Sequence, residues 1–387
     1  MESIQSLSRP IIPVAHLVIA LNNGGLEHLV MRWTAYRNQL LEGSTHIICL
    51  DELGTLASEF QGGPVHCINA ARSKFPWDRQ AVDRLSLLLK ELNIAVVHSH
   101  NSAAHQYGVL ATFKTKTPHI QTQHGMNIHD LGFKATLINR VLRFFTPQYA
   151  AVSKEVVNNL QKKHGVPADR VHFVANGVEE HRSTSTEVLQ QLRQDYKIPV
   201  DAFVLGSAGR LAAVKGWDRF FPIFAKLIKE NTNGKPLHLL LVGNGPEQNK
   251  LQNMACDLGI ENNVSFAGFQ QDCHPYYDLI DLFVMPSRSE GLSVSLLEAM
   301  QASCPVAVTA VGEHTKLVKV SGGGILLEAE NSESWVKILL DFIHDTNEQN
   351  SCGLRGQTHV KSHYTLENTY QSYEALYRNL LVEKSGK

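Results

Sequence analysis

SRSEGLSVSLLEAM, spanning Ser287 to Met300, is preceded by Leu282-Phe283-Val284-Met285, a short apolar run stopped by Pro286. Such a run, bounded by a breaker, reads as a fully buried strand. Further on, Leu296, Leu297 and Met300 recur at helical spacing, so a helix is predicted to open near Ser293 or Ser295. Strand, polar loop and amphipathic helix in that order make one α/β unit. Its loop and helix carry two carboxylates, Glu290 and Glu298, eight positions apart. Glu290 falls beside a helix N-terminus, whose free amides attract phosphate, and Glu298 about one turn in. Amides holding an anion and carboxylates accepting from hydroxyls suit a diol-bearing phosphate ester. A plainer alternative stands beside this, because Ser295-x-x-Glu298 also fits a capping box.

The same alternation extends through both halves of the chain. Strands are predicted at Val14–Ala20, His46–Leu50, Ala95–Ser99, His119–Thr122 and Tyr149–Val152, then at Phe203–Ala208, Leu237–Val242, Val264–Phe266, Leu282–Met285 and Val306–Val308. Helical periods fill Gly25–Leu41, Arg79–Leu92 and Lys154–His164, then Trp217–Glu230, Gln248–Leu258, Tyr276–Leu279 and Ser295–Gln301. A polar segment from Gly177 to Asp201 interrupts the rhythm, which then restarts. The expected architecture is α/β: two doubly wound Rossmann-like domains, 1–180 and 200–360, joined by a linker at 181–199 and facing a central cleft. Near the C-terminus, Tyr370, Tyr373, Leu376, Tyr377 and Leu380 are spaced for one face of a helix. Ligands of open α/β sheets bind outside the carboxyl ends of strands, so the loops after strands are where function is sought.

Composition narrows the classes. Lys+Arg is 36 against Asp+Glu 37, which gives no general attraction to nucleic acid. Six scattered cysteines without a C-x-x-C pair fit a reducing compartment better than a disulfide framework or a zinc site. No stretch approaches the roughly 20 apolar residues that span a bilayer, and no signal pattern opens the chain. A cytoplasmic, soluble protein is expected.

Several post-strand loops carry chemistry-bearing residues. Asn22-Asn23-Gly24-Gly25 follows the first strand; Gly24 and Gly25 let backbone approach an anion at a helix N-terminus, or simply make a tight turn. Gly209-Arg210 and Lys215-Gly216 share one loop, where two cations would neutralise a diphosphate or merely flank a helix. Leu241 to Pro246, with Asn244 between two glycines, holds half of a dinucleotide fingerprint that Pro246 and Gln248 interrupt. There is no G-x-x-x-x-G-K-[ST], which argues against P-loop NTP hydrolysis. His124-Gly125 follows the strand His119–Thr122, and a histidine there could donate a hydrogen bond to a reacting group. His98 and His100 face one side of a strand end, with His124 near. A metal site is weighed there, but no matching carboxylate or cysteine spacing accompanies them, and most of the 19 histidines are expected at the surface or in loops. The segment from Leu131 to Pro147 mixes Leu137, Val141, Phe144 and Phe145 with Arg140 and Arg143. It reads either as a core-facing helix or as a basic, apolar helix lying on an anionic membrane.

Taken in order, these residues resemble the family 4 retaining glycosyltransferases of the GT-B fold over nearly the whole chain. The likeness is carried by NNGGLE (Asn22–Glu27), QHG (Gln123–Gly125), AVS (Ala151–Ser153), ANGVE (Ala175–Glu179), GRLAAVKGWD (Gly209–Asp218), LVGNGPE (Leu241–Glu247), VSFAGF (Val264–Phe269) and the E-x7-E run from Ser287. It is strongest toward bacterial sugar transferases of exopolysaccharide, capsule or lipopolysaccharide assembly. It implies that Arg210 and Lys215 hold a donor diphosphate and that Glu290 contacts the transferred sugar beside Gly291 and the amides of Leu292 and Ser293. Glu298 holds the ribose, Asn244, Gly24 and Gly25 lie on the donor side, and His124 lies by sugar and acceptor. A C-terminal helix, about 365–387, crosses back to the first domain. The implied partners are a nucleotide-sugar donor, with UDP favoured, and a glycan or lipid-linked acceptor. The nucleotide-sugar is a substrate, not a cofactor, and no metal ligand is expected because no D-x-D pair ends a strand. A silent sugar-nucleotide-binding subunit and a nucleotide-sugar epimerase are the alternatives. Three positions depart from the family pattern: Glu313 and Lys316 stand where Gly and Glu are usual, and Ser303 stands where Gly is usual.

Overall fold

The computed structural model describes residues 11–22, 24–41, 43–71, 78–124, 133–232 and 234–385. It divides into a first unit, 1–175 with 369–387, and a second, 176–368.

In the first unit the order is β1 (Val14–Val18), α1 (Gly25–Leu40), β2 (Thr45–Cys49), β3 (Val65–Cys67), α2 (Arg79–Glu91), β4 (Val96–His100) and α3 (Ser102–Thr115). There follow β5 (His119–Gln123), α4 (Phe133–Leu142), β6 (Gln148–Ala151), α5 (Lys154–Lys162) and β7 (Val171–Phe173). The strands form one parallel sheet, β3-β2-β1-β4-β5-β6-β7. Helices cover a parallel sheet on both faces, which is why β1 and β4 are buried at every residue, polar ones included.

The second unit opens with α6 (Thr186–Asp195), inside the stretch read from sequence as a linker. Asp278 accepts hydrogen bonds there from His181 Nε2, at 2.7 Å, and from the Thr184 amide, also at 2.7 Å. Then come β8 (Phe203–Ala208), α7 (Trp217–Glu230), β9 (Leu237–Val242), α8 (Gln248–Asp257), β10 (Val264–Gly268), α9 (His274–Leu279), β11 (Leu282–Met285) and α10 (Val294–Gln301). They are followed by β12 (Val306–Thr309), α11 (His314–Ser321), β13 (Gly324–Leu327), α12 (Trp335–Ile343) and α13 (Thr346–His363). The parallel order is β10-β9-β8-β11-β12-β13. Phe220, Phe221 and Phe224 of α7 pack with Trp335 and Leu339 of α12 and with strand residues such as Leu239 and Val284 to form the core. At about 25 cal/mol per Å2, each buried aromatic stabilises by a few kcal/mol.

α14 (Leu366–Ser385) begins in the second unit and continues into the first. Tyr373, Leu376, Tyr377 and Leu380 are buried, as the periodicity predicts, and the Thr369 hydroxyl donates to the Ala175 carbonyl. Arg37 of α1 anchors this helix: its Nε donates to Glu374 Oε1 at 2.7 Å, and its other nitrogens reach Ser44, Thr45 and the Ile12 carbonyl.

Both strand orders reverse at one place, between β1 and β4 and between β8 and β11. Those are the switch points where open α/β sheets bind ligands. No helix among the described residues is long and apolar enough to cross a membrane.

Candidate functional site

In the second unit the switch point brings together the loops after β8 and β11. The first runs from Gly209 through a 3-10 turn, Ala213–Lys215, to Gly216. Gly216 adopts φ +72°, and a side chain there would collide with the Pro286 carbonyl, so only glycine lets the two loops touch. The Arg288 amide donates to the Val214 carbonyl at 2.8 Å, and the Arg288 side chain reaches the Ala213 carbonyl and both oxygens of Asp218. Arg219 donates to the carbonyls of Pro286, Ser287 and Ala329. So fastened, Lys215 Nζ lies 2.6 Å from Glu290 Oε1, which also accepts from Ser287 Oγ at 2.8 Å. Both side chains of the pair keep some exposure, 21% for Lys215 and 13% for Glu290, so the ion pair stands open to an incoming group. Arg210 is exposed on the same loop and lines a pocket with Lys215, Gly209, Met285 and Ser287.

Glu298 sits in the second turn of α10, where its Oε2 accepts from the Tyr277 hydroxyl at 2.6 Å. The capping-box alternative does not hold. Ser293 is the N-cap and makes no side-chain cap bond, while Ser295 lies inside the helix. The first amides of α10, around Ser293, are therefore not consumed by a cap, whereas Leu292 is buried and its carbonyl accepts from Asn176. Gly291 is half-buried beside them, and Asn244 is exposed after β9, its carbonyl accepting from the Leu211 amide at 2.9 Å.

The departures from the family pattern fall nearby. Gly312 takes φ +53° and packs on the Glu290 carbonyl, where any side chain would clash. Glu313 is almost buried and Lys316 is exposed. His314, wholly buried, has neither ring nitrogen hydrogen-bonded among the described residues, and burial lowers its pKa to about 4. Ser303 stands at φ +60°.

In the first unit, Gly24 is the extended N-cap of α1 with no side-chain cap, and a Cβ on Gly25 would meet nothing within 4 Å. The Glu27 carboxylate folds back beside Gly24 and accepts from its own amide, so the start of α1 already carries an acidic side chain. Asn23 and Gly125 lie outside the described residues. His124 is held by a neighbour that sequence reading only guessed at: its Nε2 lies 2.9 Å from His100 Nδ1. The expectation that most histidines lie at the surface is corrected by the cluster beneath it. Among the described residues eight are buried, and five of these, His16, His98, His100, His119 and His238, lie on strands where their rings bond to neighbouring side chains. The ring nitrogens of His16, His98 and His100 lie within 4.8 Å of one another. Those nitrogens already bond to one another, to Thr122 or to Tyr377, and neither a carboxylate nor a thiolate belongs to the group. Its chemistry is that of a hydrogen-bonded imidazole network, with all three pKa values pulled down by burial.

The sequence singled out Arg210, Lys215, Glu290 and Glu298, and the structure brings Lys215 to Glu290 and keeps Arg210 on the same loop. Ser287 and Tyr277, which hold Glu290 and Glu298, were missed as partners, whereas His100 was read as lying near His124 without the bond between them. Ser287 was within reach of inspection, three residues from Glu290; Tyr277 gave no local signal.

Two doubly wound parallel sheets, the second with Arg210, Lys215 and Glu290 on its switch-point loops, define the GT-B class of glycosyltransferases. The model for Glycosyltransferase Family 4 matches residues 23–182, and that for glycosyl transferases group 1 matches residues 189–359. The chain belongs to glycosyltransferase family 4. It is 26% identical over 319 residues to N-acetyl-alpha-D-glucosaminyl L-malate synthase of Bacillus anthracis, covering 81% of this chain and 82% of that one. It is 24% identical over 323 residues to the capsular polysaccharide biosynthesis glycosyltransferase CapM of Staphylococcus aureus, covering 80% and 83%. The crystal structure of Anabaena HepE in complex with UDP has the same fold, with a TM-score of 0.80 at 19% identity over 95% of this chain and 100% of that one.

Proposed function

We propose that this glycosyltransferase moves a hexose-type sugar from a UDP-sugar to a glycan or lipid-linked acceptor of a bacterial surface polysaccharide, with retention at the anomeric carbon and without a metal ion. The observation that carries this reading is the open Lys215–Glu290 pair beside exposed Arg210, with Glu298 eight residues on and bonded to Tyr277. Breaking the anomeric C–O bond sends its electron pair to the β-phosphate and leaves positive charge on the sugar. Arg210, Lys215 and the uncapped amides near Ser293 meet the first; removing one such donor costs roughly 3–4 kcal/mol in barrier. Glu290 and Gly291 hold the sugar hydroxyls, Glu298 the ribose, and Asn244, Leu292, Gly24 and Gly25 complete the donor contacts. His124 serves the transferred sugar and the acceptor. Two cations supply the charge that a divalent ion would otherwise bring. The acceptor hydroxyl attacks from the face the phosphate leaves, its proton going to the phosphate oxygen, so no side chain acts as nucleophile.

The likeness to CapM, a capsular polysaccharide biosynthesis glycosyltransferase, supports a surface-glycan acceptor. The core-facing reading of the 131–147 segment is corrected in part: Leu142 is buried, but Leu137, Val141, Phe144 and Phe145 are all about half exposed or more. Residues 131–132 lie outside the description. Phe113 packs edge-on against Phe145, and Arg140 and Arg143 flank the patch, which suits an anionic lipid surface near a lipid-linked acceptor. Flotation with anionic and neutral vesicles tests it; no binding to either removes the membrane contact.

The central test is thermal-shift titration with UDP, GDP, ADP and their sugar conjugates, repeated with EDTA. Stabilisation by UDP and one UDP-sugar, unchanged by EDTA, is expected. A second reading, a silent sugar-nucleotide-binding subunit, is favoured by Glu313 and Lys316, and binding without turnover across acceptors would select it.

A further inference from the structure

His100 is the middle of a chain of three imidazoles. Its Nδ1 lies 2.9 Å from His124 Nε2, and its Nε2 lies 2.9 Å from His16 Nδ1. His16 and His100 are at most 1% exposed, and Trp33 packs against both His100 and His124 with ring centroids 5.9 Å away in each case. The backbone makes a point of holding His100 there. The next residue, Asn101, adopts φ 73° and ψ 165°, a region nearly restricted to glycine, while its side chain caps α3. Strain of that kind, about 1–3 kcal/mol, persists where the surroundings over-determine a conformation. Burial lowers all three pKa values, so the rings are neutral.

A neutral imidazole carries one proton, on one of its two nitrogens. His100 therefore donates one of its two hydrogen bonds and accepts the other, and the direction of the first bond fixes that of the second. If His16 donates to His100 Nε2, His100 must donate to His124 Nε2, and the His124 proton then sits on Nδ1. That nitrogen has no partner among the described residues. The inner end of the chain sets the direction. His16 lines a cavity of about 20 Å3 together with Arg37 and Tyr377. With His16 Nδ1 engaged by His100, the Arg37 guanidinium, a permanent cation felt by His16, favours a bare lone pair on the remaining ring nitrogen and so the proton on Nδ1.

We infer that His16 and His100 are positioning residues that hold His124 as its Nδ1–H tautomer, so that the ring nitrogen not engaged by His100 donates a hydrogen bond. The role rests on the reading of His124 as a group that meets the sugar or acceptor. The ligand atom that Nδ1–H recognises is an oxygen bearing a lone pair, a phosphate or hydroxyl oxygen of the donor or acceptor.

The test is side-chain 15N NMR of the full chain, with His124 assigned by its loss in His124→Ala. In the wild type, His124 is expected to show a protonated Nδ1 and a bare Nε2. His100→Leu removes the donor, and His124 should shift to the Nε2–H form. His100→Asn, whose amide can donate from near the Nδ1 position, should keep the wild-type pattern and controls for folding. With UDP-glucose as probe, His100→Leu should lower kcat for UDP release about 100-fold with KM within about 3-fold, and His100→Asn should restore most of it. A wild-type His124 already protonated on Nε2, or the same tautomer in His100→Leu, overturns the inference. Full UDP release by folded His124→Ala, with the tautomers as expected, would instead sink the reading of His124 while leaving the hydrogen-bond chain intact.

Discussion

Lys215 and Glu290 lie 75 positions apart in sequence and meet at 2.6 Å. Removing either end has different consequences. Lys215→Ala leaves a half-buried carboxylate with only the Ser287 hydroxyl for company, so a stability loss of about 1–3 kcal/mol is expected, with transfer falling about 100-fold or more. Glu290→Gln keeps the Ser287 bond through its amide oxygen and should unfold near the wild-type midpoint while losing transfer; urea titration alongside a UDP-release assay checks both. A Glu290→Gln variant with near-normal turnover would falsify the site assignment. Ser303 offers a test free of chemistry. It occupies φ +60°, where an L residue is strained by roughly 1–2 kcal/mol. Ser303→Gly relieves that strain and gives back part of it as unfolded-chain entropy. A net gain of about 0.5–1 kcal/mol is expected in chemical denaturation of the second unit, with activity unchanged. The carboxylates and cations of this site were legible because each follows a strand that is itself legible. Their supports were not: Tyr277 meets Glu298 across 21 positions and His100 meets His124 across 24, and only the folded sheet sets them side by side.

At the scale of elements, the buried central strands read directly from apolar runs such as Leu237–Val242, and α7 and α14 from periodicity. β3, β7 and β13 were missed. All three are sheet edges of three or four residues, and most of their residues are only half-buried, so they lack the apolar run that marks a central strand. α6 was missed for a similar reason: no residue of it is buried, and its polar sequence reads as a linker. The one cue was Ser185, whose hydroxyl caps it. α14 is the converse case, a helix whose apolar face was plain from periodicity and whose return to the first domain the family resemblance implied, but whose anchoring pair was not visible. The Arg37–Glu374 pair that secures it, with side chains 4% and 8% exposed, joins residues 337 apart in sequence. Desolvating such a pair costs nearly as much as its attraction returns, yet breaking one side strands a buried charge. Arg37→Met should therefore destabilise the first unit by about 3–5 kcal/mol, and Arg37→Met with Glu374→Leu should recover most of that loss. A double-mutant cycle in urea measures it, and additive losses would show that the pair carries no coupling.

On the scale of the whole molecule, the two units differ in how they store neutral histidine. The first buries His16, His98, His100, His105 and His119, each at most 1% exposed and each with its pKa pulled down, chiefly by burial. In the second, His238 and His314 are lowered to about 4. A histidine held neutral in the fold takes up no proton until the pH falls far below its ordinary value near 6.5, whereas in the unfolded chain it charges there. The unfolded state then binds more protons, so stability rises with pH through this window and is lost as pH falls below about 6.5. Each group fully in that regime removes about 1.4 kcal/mol per pH unit. Between pH 7 and 5.5 each such group loses a little over about 1 kcal/mol, so these five together with His124, lowered to about 3 by burial, give at most roughly 7 kcal/mol in the first unit, against roughly 2–3 kcal/mol from two in the second. Carboxylates held low, Asp218 and Asp278 for example, lose their contribution only near pH 4 and below, and the two raised by burial, Glu27 in the first unit and Asp281 in the second, fall one to each. Pulse-labelling hydrogen exchange in a urea series, read separately on peptides from β1, β4 and β5 and from β8, β9 and β11, should show the first unit's midpoint falling well ahead of the second's at pH 5.5. Parallel shifts in the two would mean that the buried histidines keep their protons as readily as exposed ones, and with that the neutral network under His124 would lose its basis.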